Sequence, residues 1–561
     1  MRLDDDLNKD SPTNYEADSG NNGGNYCSWN PLTMSRGNIS DGNLLFYGDG
    51  TNTPRVNGTI SASSGKWYYE ATVLNNGPGT GSGDVHNSIG WGLDTVSNIE
   101  TAPNTSQMQH SFYFMDSGWY KNFSGGNTNT NTGKWLSGDI IGVAADLDNN
   151  RITFYKNGAL ALTQIIGVTA GTRLCPAHQS NTGTYGRLAT NFGQRPFAHT
   201  PPTGFKALCT QNLDDPLVAK GSDHFIAKAY GGTAGDKVVY TGFQPDLVWI
   251  KNRTQARWHR LADSVRGVER NLYTNAQNGE DNSNNYNHKS FDTTGFTVWD
   301  TDRDTNSGDG DPYISWSWKG GSTFSNSAGS NGASIASSGT ANTTAGFSVV
   351  AYQGNGSSGQ VYHGLSSAPD MIWVKDRDSS TNWYVYHKDL GGNNALQLNS
   401  VNGTFSPSPA GISGVSSATF TLGGNRGETN TGNDNYIAYC FTDIDQYCAV
   451  GKYTGNGNSN GIFVYTGFKP AFLMVKADYN YDGGGTIVNG YNWYIWDNDR
   501  SAYNLTDDIL AANKAFVEES NAGIDFVSNG FKLRNVAAPN ANQAQYYIAF
   551  AENPLKYTRA R

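Results

Sequence analysis

The densest cluster of potential metal ligands in the sequence is Asp300-Thr-Asp302-Arg-Asp304-Thr-Asn-Ser-Gly-Asp309-Gly-Asp311. Carboxylates at loop positions 1, 3, 5 and 12 are the hard oxygen donors that calcium takes, so Asp300, Asp302, Asp304 and Asp311 form a candidate calcium site. The loop departs from the helix-flanked calcium loop at three points. Thr305 stands where the sharp-turn glycine belongs, the terminal ligand is aspartate in place of bidentate glutamate, and no helical pattern flanks it. A solvated acidic loop is the alternative reading. Asp376-Arg-Asp378 and Asp497-Asn-Asp499 are shorter acidic pairs in comparable places, each too short to ligate a metal alone.

Other patterns with chemical meaning fail on context. Gly354-Asn-Gly356-Ser-Ser-Gly359 has dinucleotide-loop spacing, but strand-like runs flank it and no helix follows, so it reads as a hairpin turn. Gly457-Asn-Ser459-Asn-Gly461 has nucleophile-elbow spacing and lacks the following helix in the same way. The nine histidines are isolated, with no pair at helical spacing, so metal-assisted hydrolysis has no support. His259 beside Trp258 and His387 near Trp383 read as packing or surface residues. No carboxylate pair for glycoside hydrolysis stands out, although such pairs meet only in three dimensions. What remains is aromatic and amide chemistry. Trp119-Tyr120 and Trp493-Tyr494, next to Asn, Gly and Asp, offer flat apolar faces with hydrogen-bonding tips, suited to sugar rings or adaptable protein contacts. The competing reading places such aromatics in the cores of small sandwiches.

These residues hang on a stretch that occurs three times: Tyr240-Thr-Gly-Phe-Gln-Pro-Asp-Leu-Val-Trp-Ile-Lys251, Tyr362 to Lys375 and Tyr465 to Lys476. Each copy is a turn feeding a short apolar strand that ends in lysine. The marker tyrosines are spaced 362 − 240 = 122 and 465 − 362 = 103 residues. Three related all-β modules with unequal loops account for this. Taking Trp258, Trp383 and Trp493 as the next shared landmark, the distance from tyrosine grows from copy to copy, which places variable function in those segments. Gly320 to Asn342 is nearly all Ser, Gly, Asn, Thr and Ala, and reads as a flexible linker with Ala333 to Ala336 as a candidate edge strand. The expected organisation is a tail over 1–26, a sandwich over 27–213, a module over 214–320, linker and second module over 321–446, and a third module over 447–561.

Composition agrees with an all-β chain. Of 561 residues 68 are glycine, 12% are aromatic and only 16% are charged, a balance that favours strands and tight turns over long helices. A formal charge of −10 leaves no basic field for a phosphate backbone, which argues against nucleic acid and against anionic membranes. Residues Met1 to Asp10 carry no apolar segment for a secretory signal, and no run approaches a membrane span, so the chain is expected to be made in a cytoplasm without membrane insertion. The five cysteines, Cys27, Cys175, Cys209, Cys440 and Cys448, are scattered and read as buried reduced thiols.

Five motifs in the first half carry a family resemblance. Gly65-Lys-Trp-Tyr-Tyr-Glu70, Gly90-Trp-Gly92, Gly138 to Asp146, Ile152 to Gly158 and Asn191-Phe-Gly193 resemble, in order and spacing, the signature of the SPRY domain. The resemblance covers about residues 27 to 208. It implies a concanavalin-like β-sandwich that binds partners through its loops and carries no catalytic residues. The loops Asn75 to Gly83 and Asn122 to Thr132 depart from the family, so no ligand carries over. The whole order, from Asp10-Ser-Pro-Thr-Asn-Tyr15 through the sandwich and tandem units to Tyr547-Ile-Ala-Phe-Ala-Glu-Asn-Pro-Leu-Lys-Tyr557, resembles structural proteins of tailed phages of aquatic bacteria. That implies a non-enzymatic virion component, a fibre, tail or head-decoration protein assembled in the host cytoplasm. Its implied partners are other virion proteins through the N-terminal tail, host surface polysaccharide or protein, and further copies in a homotrimer. An architectural protein joining virion parts and a depolymerase with a hidden carboxylate pair are the alternatives.

Overall fold

The computed structural model describes residues 24–34, 37–47, 55–76, 88–94, 110–114, 119–121, 127–129, 135–179, 186–282, 288–299, 302–478, 491–536 and 539–557. Nearly all regular structure is strand, and no helix reaches seven residues among them. The fold class is all-β: a SPRY-like sandwich followed by further sheets. The chain forms two compact units. One comprises residues 1–215 with 555–561, the other residues 216–554.

In the first unit, one sheet has the order Asn38–Ser40, Leu45–Tyr47, Gly186–Asn191, Lys66–Asn76, Ile140–Asp146, Arg151–Lys156, Ala159–Ile165, with Lys206–Ala207 alongside Lys66–Asn76. The second runs Arg55–Asn57, Leu174–Gln179, Ser88–Leu93, His110–Phe114, Trp119–Lys121, Asn127–Asn129. Trp67, Tyr69, Ala71 and Val73 alternate inward as a strand's period of two requires. Tyr69 reaches across to the other sheet and donates to Gly90 O at 2.7 Å. Tyr68 and Glu70 on the opposite face are buried too, because the segment after Asn191 folds over them. Ala198 N and His199 N donate to the Glu70 carboxylate at 2.8 and 2.9 Å, and Phe197 stands edge-on to Tyr68. The turn Asn157-Gly158 has positive φ at both residues (52° and 78°), the conformation that lets a two-residue hairpin follow the strand twist. Of the expected tail, Asn25 and Tyr26 are held to this unit, by Thr210 Oγ1 and by a bridge to Cys209; residues 1–23 lie outside the described set. All five cysteines are buried and unbridged.

The second unit contains three sets of strands with one recurring order. The first has a four-stranded sheet, Phe225–Gly231, Pro312–Trp318, Leu247–Asn252, Arg260–Asp263, and a three-stranded sheet, Lys237–Tyr240, Gly295–Val298, His288–Asp292. The second repeats this as Phe347–Gln353, Asn435–Phe441, Met371–Asp376, Tyr384–His387, with Gly359–Tyr362, Thr419–Leu422, Ile412–Val415. The third has Cys448–Thr454, Ala544–Pro554, Phe468–Ala477, Trp493–Asp497, which Thr506–Ala511 joins to Glu519–Val527, Gly530–Leu533 and Phe463–Tyr465 in one eight-stranded sheet. The Ser/Gly-rich stretch expected as a linker is structured. Ser322–Asn326 and Ser337–Asn342 form an antiparallel pair that extends the second sheet. Small residues suit that place because backbones approach closely, as Gly339 does against Val349 O.

Alternation along the repeated strand explains the layering. Leu247 and Trp249 face one apolar cluster while Val248 and Ile250 face another; Met371 and Trp373 divide from Ile372 and Val374 in the same way. The outward residues pack within their own set. The inward ones of all three sets meet in one core. There Trp249 lies edge-on to Trp373 (5.9 Å), Trp318 to Phe472 (6.0 Å) and Phe441 to Phe550 (6.0 Å), so every pair of sets is in direct contact. Each such ring contributes roughly 1.5–3 kcal/mol through burial.

Candidate functional site

The repeated lysines are not surface markers. Lys251, Lys375 and Lys476 are buried at the ends of the central strands, and each ammonium donates to backbone carbonyls of the following or facing loop. Lys251 reaches Asn252 O (2.6 Å) and Gln255 O, Lys375 reaches Asp376 O (2.8 Å) and Ser379 O, and Lys476 reaches Tyr491 O (2.5 Å) and Val401 O (2.8 Å). Burial pulls the first two down to about 8 and Lys476 down to about 7. Buried His259 and His387 are likewise pushed down, His387 to about 3.

The sign follows from these shifts. A group whose pKa falls on folding adds stability above its unfolded value, and that stability is lost as pH drops through the folded value. Stability of this unit is therefore expected to rise as pH goes from about 7 towards 10 through the lysines, and to fall below about 6.5 through the histidines. Unfolding by urea across pH checks this, and Lys476→Met should flatten the alkaline arm.

Charged chains tie the sets together. At the junction of the first and second sets, Arg266 pairs with Asp263 (2.5 Å) and Glu280 (3.2 Å), and Arg377 grips Glu280 with two nitrogens at 2.9 and 3.0 Å. Tyr439 of the second set donates to Asp263 at 2.7 Å. Burial pushes the Glu280 carboxyl up, but Arg377 and Arg266 more than offset this and hold it below its ordinary range. At the junction of the third and first sets the pattern returns: Arg500 with Asp497 (2.6 Å) and Glu518 (3.0 Å), Arg253 on Glu518 (2.6 Å), and Trp316 Nε1 donating to Asp497 (3.0 Å). The second and third sets meet differently. His387 replaces the aspartate, and Asp478 stands where the other sets have Arg253 and Arg377 and accepts from Thr404 N and Oγ1, while Trp493 Nε1 donates to Gln397 O as Trp383 Nε1 does to Tyr273 O at the first junction. The sequence signal for these chains was Asp-x-x-Arg, present as Asp263 to Arg266 and Asp497 to Arg500, with an arginine two residues beyond Lys251 and Lys375.

The expected site residues fall as follows. Asp300 lies outside the described residues. Asp302 and Asp304 converge on Arg260, at 3.5 and 2.8 Å, and Asp311 accepts from Asn252 Nδ2 elsewhere. The Arg260 guanidinium lies between the two carboxylates, and among the described residues no group of three or more acidic, His or Cys side chains is arranged to hold a metal. Among the described residues of this loop, Asp302 and Asp304 are thus engaged by an arginine. Burial raises Asp302 to about 6, Arg260 opposing it. Asp376 and Asp497 each cap the backbone amides that follow them.

Trp493 is fully buried and so presents no face to a ligand, while Tyr494 is half-buried beside Trp496. The backbones of Trp119 and Tyr120 pair with Asn129 and Thr128 at the margin of the second SPRY sheet, and their side chains lie outside the described residues. Strand register also shifts one landmark. Asp263, His387 and Asp497 pair with Leu247, Met371 and Phe472, so counting back makes His259 the counterpart of Trp383 and Trp493. His259 is buried and accepts from Trp249 Nε1 through Nδ1. Trp258, one residue earlier, is 41% exposed and stands edge-on to Tyr273 at 4.8 Å.

A family model described as a domain of unknown function, DUF7483, matches residues 220–554, which is 554 − 220 + 1 = 335 of 561 residues. The chain belongs to the DUF7483 family. Its three strand sets and their charged junctions are thus the DUF7483 unit of this protein. Ahead of it, the SPRY family model matches residues 66–195. The sandwich extends beyond that match, through Asn38–Ser40, Leu45–Tyr47 and Arg55–Asn57 on one side and Lys206–Ala207 on the other. Among solved structures the chain is similar to the SPRY domain of human HERC1, at 16% identity over 29% of this chain and 96% of that one, with a TM-score of 0.25. A human SPRY domain matches at 16% identity over 29% of this chain and 99% of that one, with a TM-score of 0.22.

Proposed function

We propose that this protein is a non-enzymatic virion component of a tailed phage, acting in attachment or decoration by binding host surface glycans. Its three DUF7483 strand sets are copies of one module closed into a ring. The observation that carries the reading is where the charge goes. Among the described residues, the most buried guanidiniums and ammoniums and their carboxylate partners serve as internal struts within and between the sets. A SPRY-type sandwich, which the resemblance associates with partner binding, stands ahead of the ring. Recognition through loops on a stiff β scaffold fits this division of labour.

The test is binding of the purified full chain to host cells and to polysaccharide extracted from them, with reducing ends assayed in the same samples. Binding without release of reducing ends is the expected result. No binding opposes attachment, and in that case finding the protein buried between neighbours in the intact particle makes it architectural. Released reducing ends would make it a depolymerase.

A further inference from the structure

The three junctions of the DUF7483 unit can be compared position by position. Glu518 N donates to Arg253 O and Glu280 N to Arg377 O, both at 2.7 Å, so Glu518 and Glu280 correspond. Asn275, Asn399 and Asn513 also correspond, since each accepts through Oδ1 from the amide of His259, Trp383 and Trp493 at 2.9 Å. With both anchors fixed, Phe516 and Val517 correspond to Asn278 and Gly279 in the first set and to Asn402 and Gly403 in the second. Trp258 corresponds to Asn382 and Asn492. The scaffold therefore closes two of its three junctions with asparagine and glycine, the residues turns ordinarily use. At the remaining junction the same positions carry Trp258, Phe516 and Val517, exposed by 41%, 55% and 40%.

The backbone that carries these side chains is pinned, and the Lys514 ammonium lies 5.8 Å from the Phe516 ring centroid. The segments 253–259 and 514–518 are pinned together at both ends, by Glu518 N on Arg253 O with the Arg253 to Glu518 ion pair, and by His259 Nε2 against Lys514 O at 3.1 Å. Trp258 rests on Tyr273, whose hydroxyl is fixed between Arg260 and Asp281. Exposed apolar groups weaken solubility and add nothing to a turn that two sister junctions build without them.

We propose that Trp258, Phe516 and Val517 form a carbohydrate-binding platform, on which a pyranose lays its apolar CH face across the aromatic rings. The half-buried carboxylates of Asp281 and Asp304, joined to Trp258 through Tyr273 and Arg260, carry the oxygens that would accept from the sugar's hydroxyls. Size decides for a sugar over a protein. Three exposed side chains fall far short of the roughly 20–30 residues a stable protein interface uses on each side, whereas one sugar ring has one small apolar face. Rigid aromatics beside polar groups bind at low entropic cost. This inference rests on the glycan-binding reading above and locates it.

The test uses the full chain and a panel of oligosaccharides: glucose, galactose, N-acetylglucosamine and uronic acid oligomers, and host polysaccharide fragments. The variant Trp258→Asn, Phe516→Asn, Val517→Gly installs at this junction what the other two already have. It is expected to keep the parent's melting temperature and to bind the recognised oligosaccharide at least tenfold more weakly. Hydroxyl-radical footprinting of the unsubstituted chain is expected to show Trp258 and Phe516 protected by the same oligosaccharide, a readout independent of how the variant folds. If the parent binds but Trp258 and Phe516 stay unprotected, or the variant binds as well as the parent, this platform is overturned while glycan binding stands elsewhere. If no member of the panel binds the parent, both fall together.

Discussion

Replacing Arg266 or Arg500 with alanine is expected to destabilise the DUF7483 unit by about 3–5 kcal/mol each, among the largest effects any single side chain in it can have. Both guanidiniums are fully buried and paired with equally buried Asp263 and Asp497. Taking either away strands a carboxylate in the interior without its counter-charge, left with Tyr439 or Trp316 and the backbone amides that follow it as donors. Each arginine also holds a glutamate that the neighbouring set grips, so the loss is felt across a junction. The double replacement Asp263→Leu with Arg266→Met is expected to cost far less, because a well-packed apolar pair avoids the desolvation that the ions must offset. Urea unfolding of the full chain, following the transition of this unit, separates the two cases.

Phe472→Ala is the second large effect, a loss of about 3–5 kcal/mol. This ring belongs to the third set, yet it packs against Phe225, Trp316 and Trp318 of the first as well as Phe550 of its own. The cavity would open where the sets meet. The expected consequence is that Trp249 and Trp318 of the first set lose native fluorescence in the same transition as strands of the third, at a lower urea midpoint. An independent third module would leave the first set's signal where it was.

Much of this layout is legible in the sequence, for a physical reason. The unbroken apolar runs Leu247-Val-Trp-Ile250 and Met371-Ile-Trp-Val374 mark strands buried on both faces, and the lysine after each marks a strand end. What stays hidden is what each face meets. Nothing in one strand says that Trp249, Trp373 and Phe472 share a single core, because successive members lie 373 − 249 = 124 and 472 − 373 = 99 residues apart in the chain. The Ser/Gly stretch from Gly320 to Asn342 has the composition of a linker, and only its pairing with Phe347–Gln353 makes it sheet. The acidic loop was legible as a set of carboxylates, but not its counter-ion, since Arg260 comes from a different strand. Trp258 was legible as a landmark and misplaced by one residue. Just ahead of the strand Arg260–Asp263, that one residue separates buried His259 from Trp258, which is 41% exposed.

The arrangement of the DUF7483 unit as one ring around one core underlies both its stability and the rigidity of the junction that bears Trp258. Native-state amide hydrogen exchange read by mass spectrometry tests it most directly, comparing the central strands Leu247–Asn252, Met371–Asp376 and Phe468–Ala477 in the intact chain. The ring predicts that all three exchange together, through one shared opening. A strand set that opens and exchanges well before the other two would contradict it.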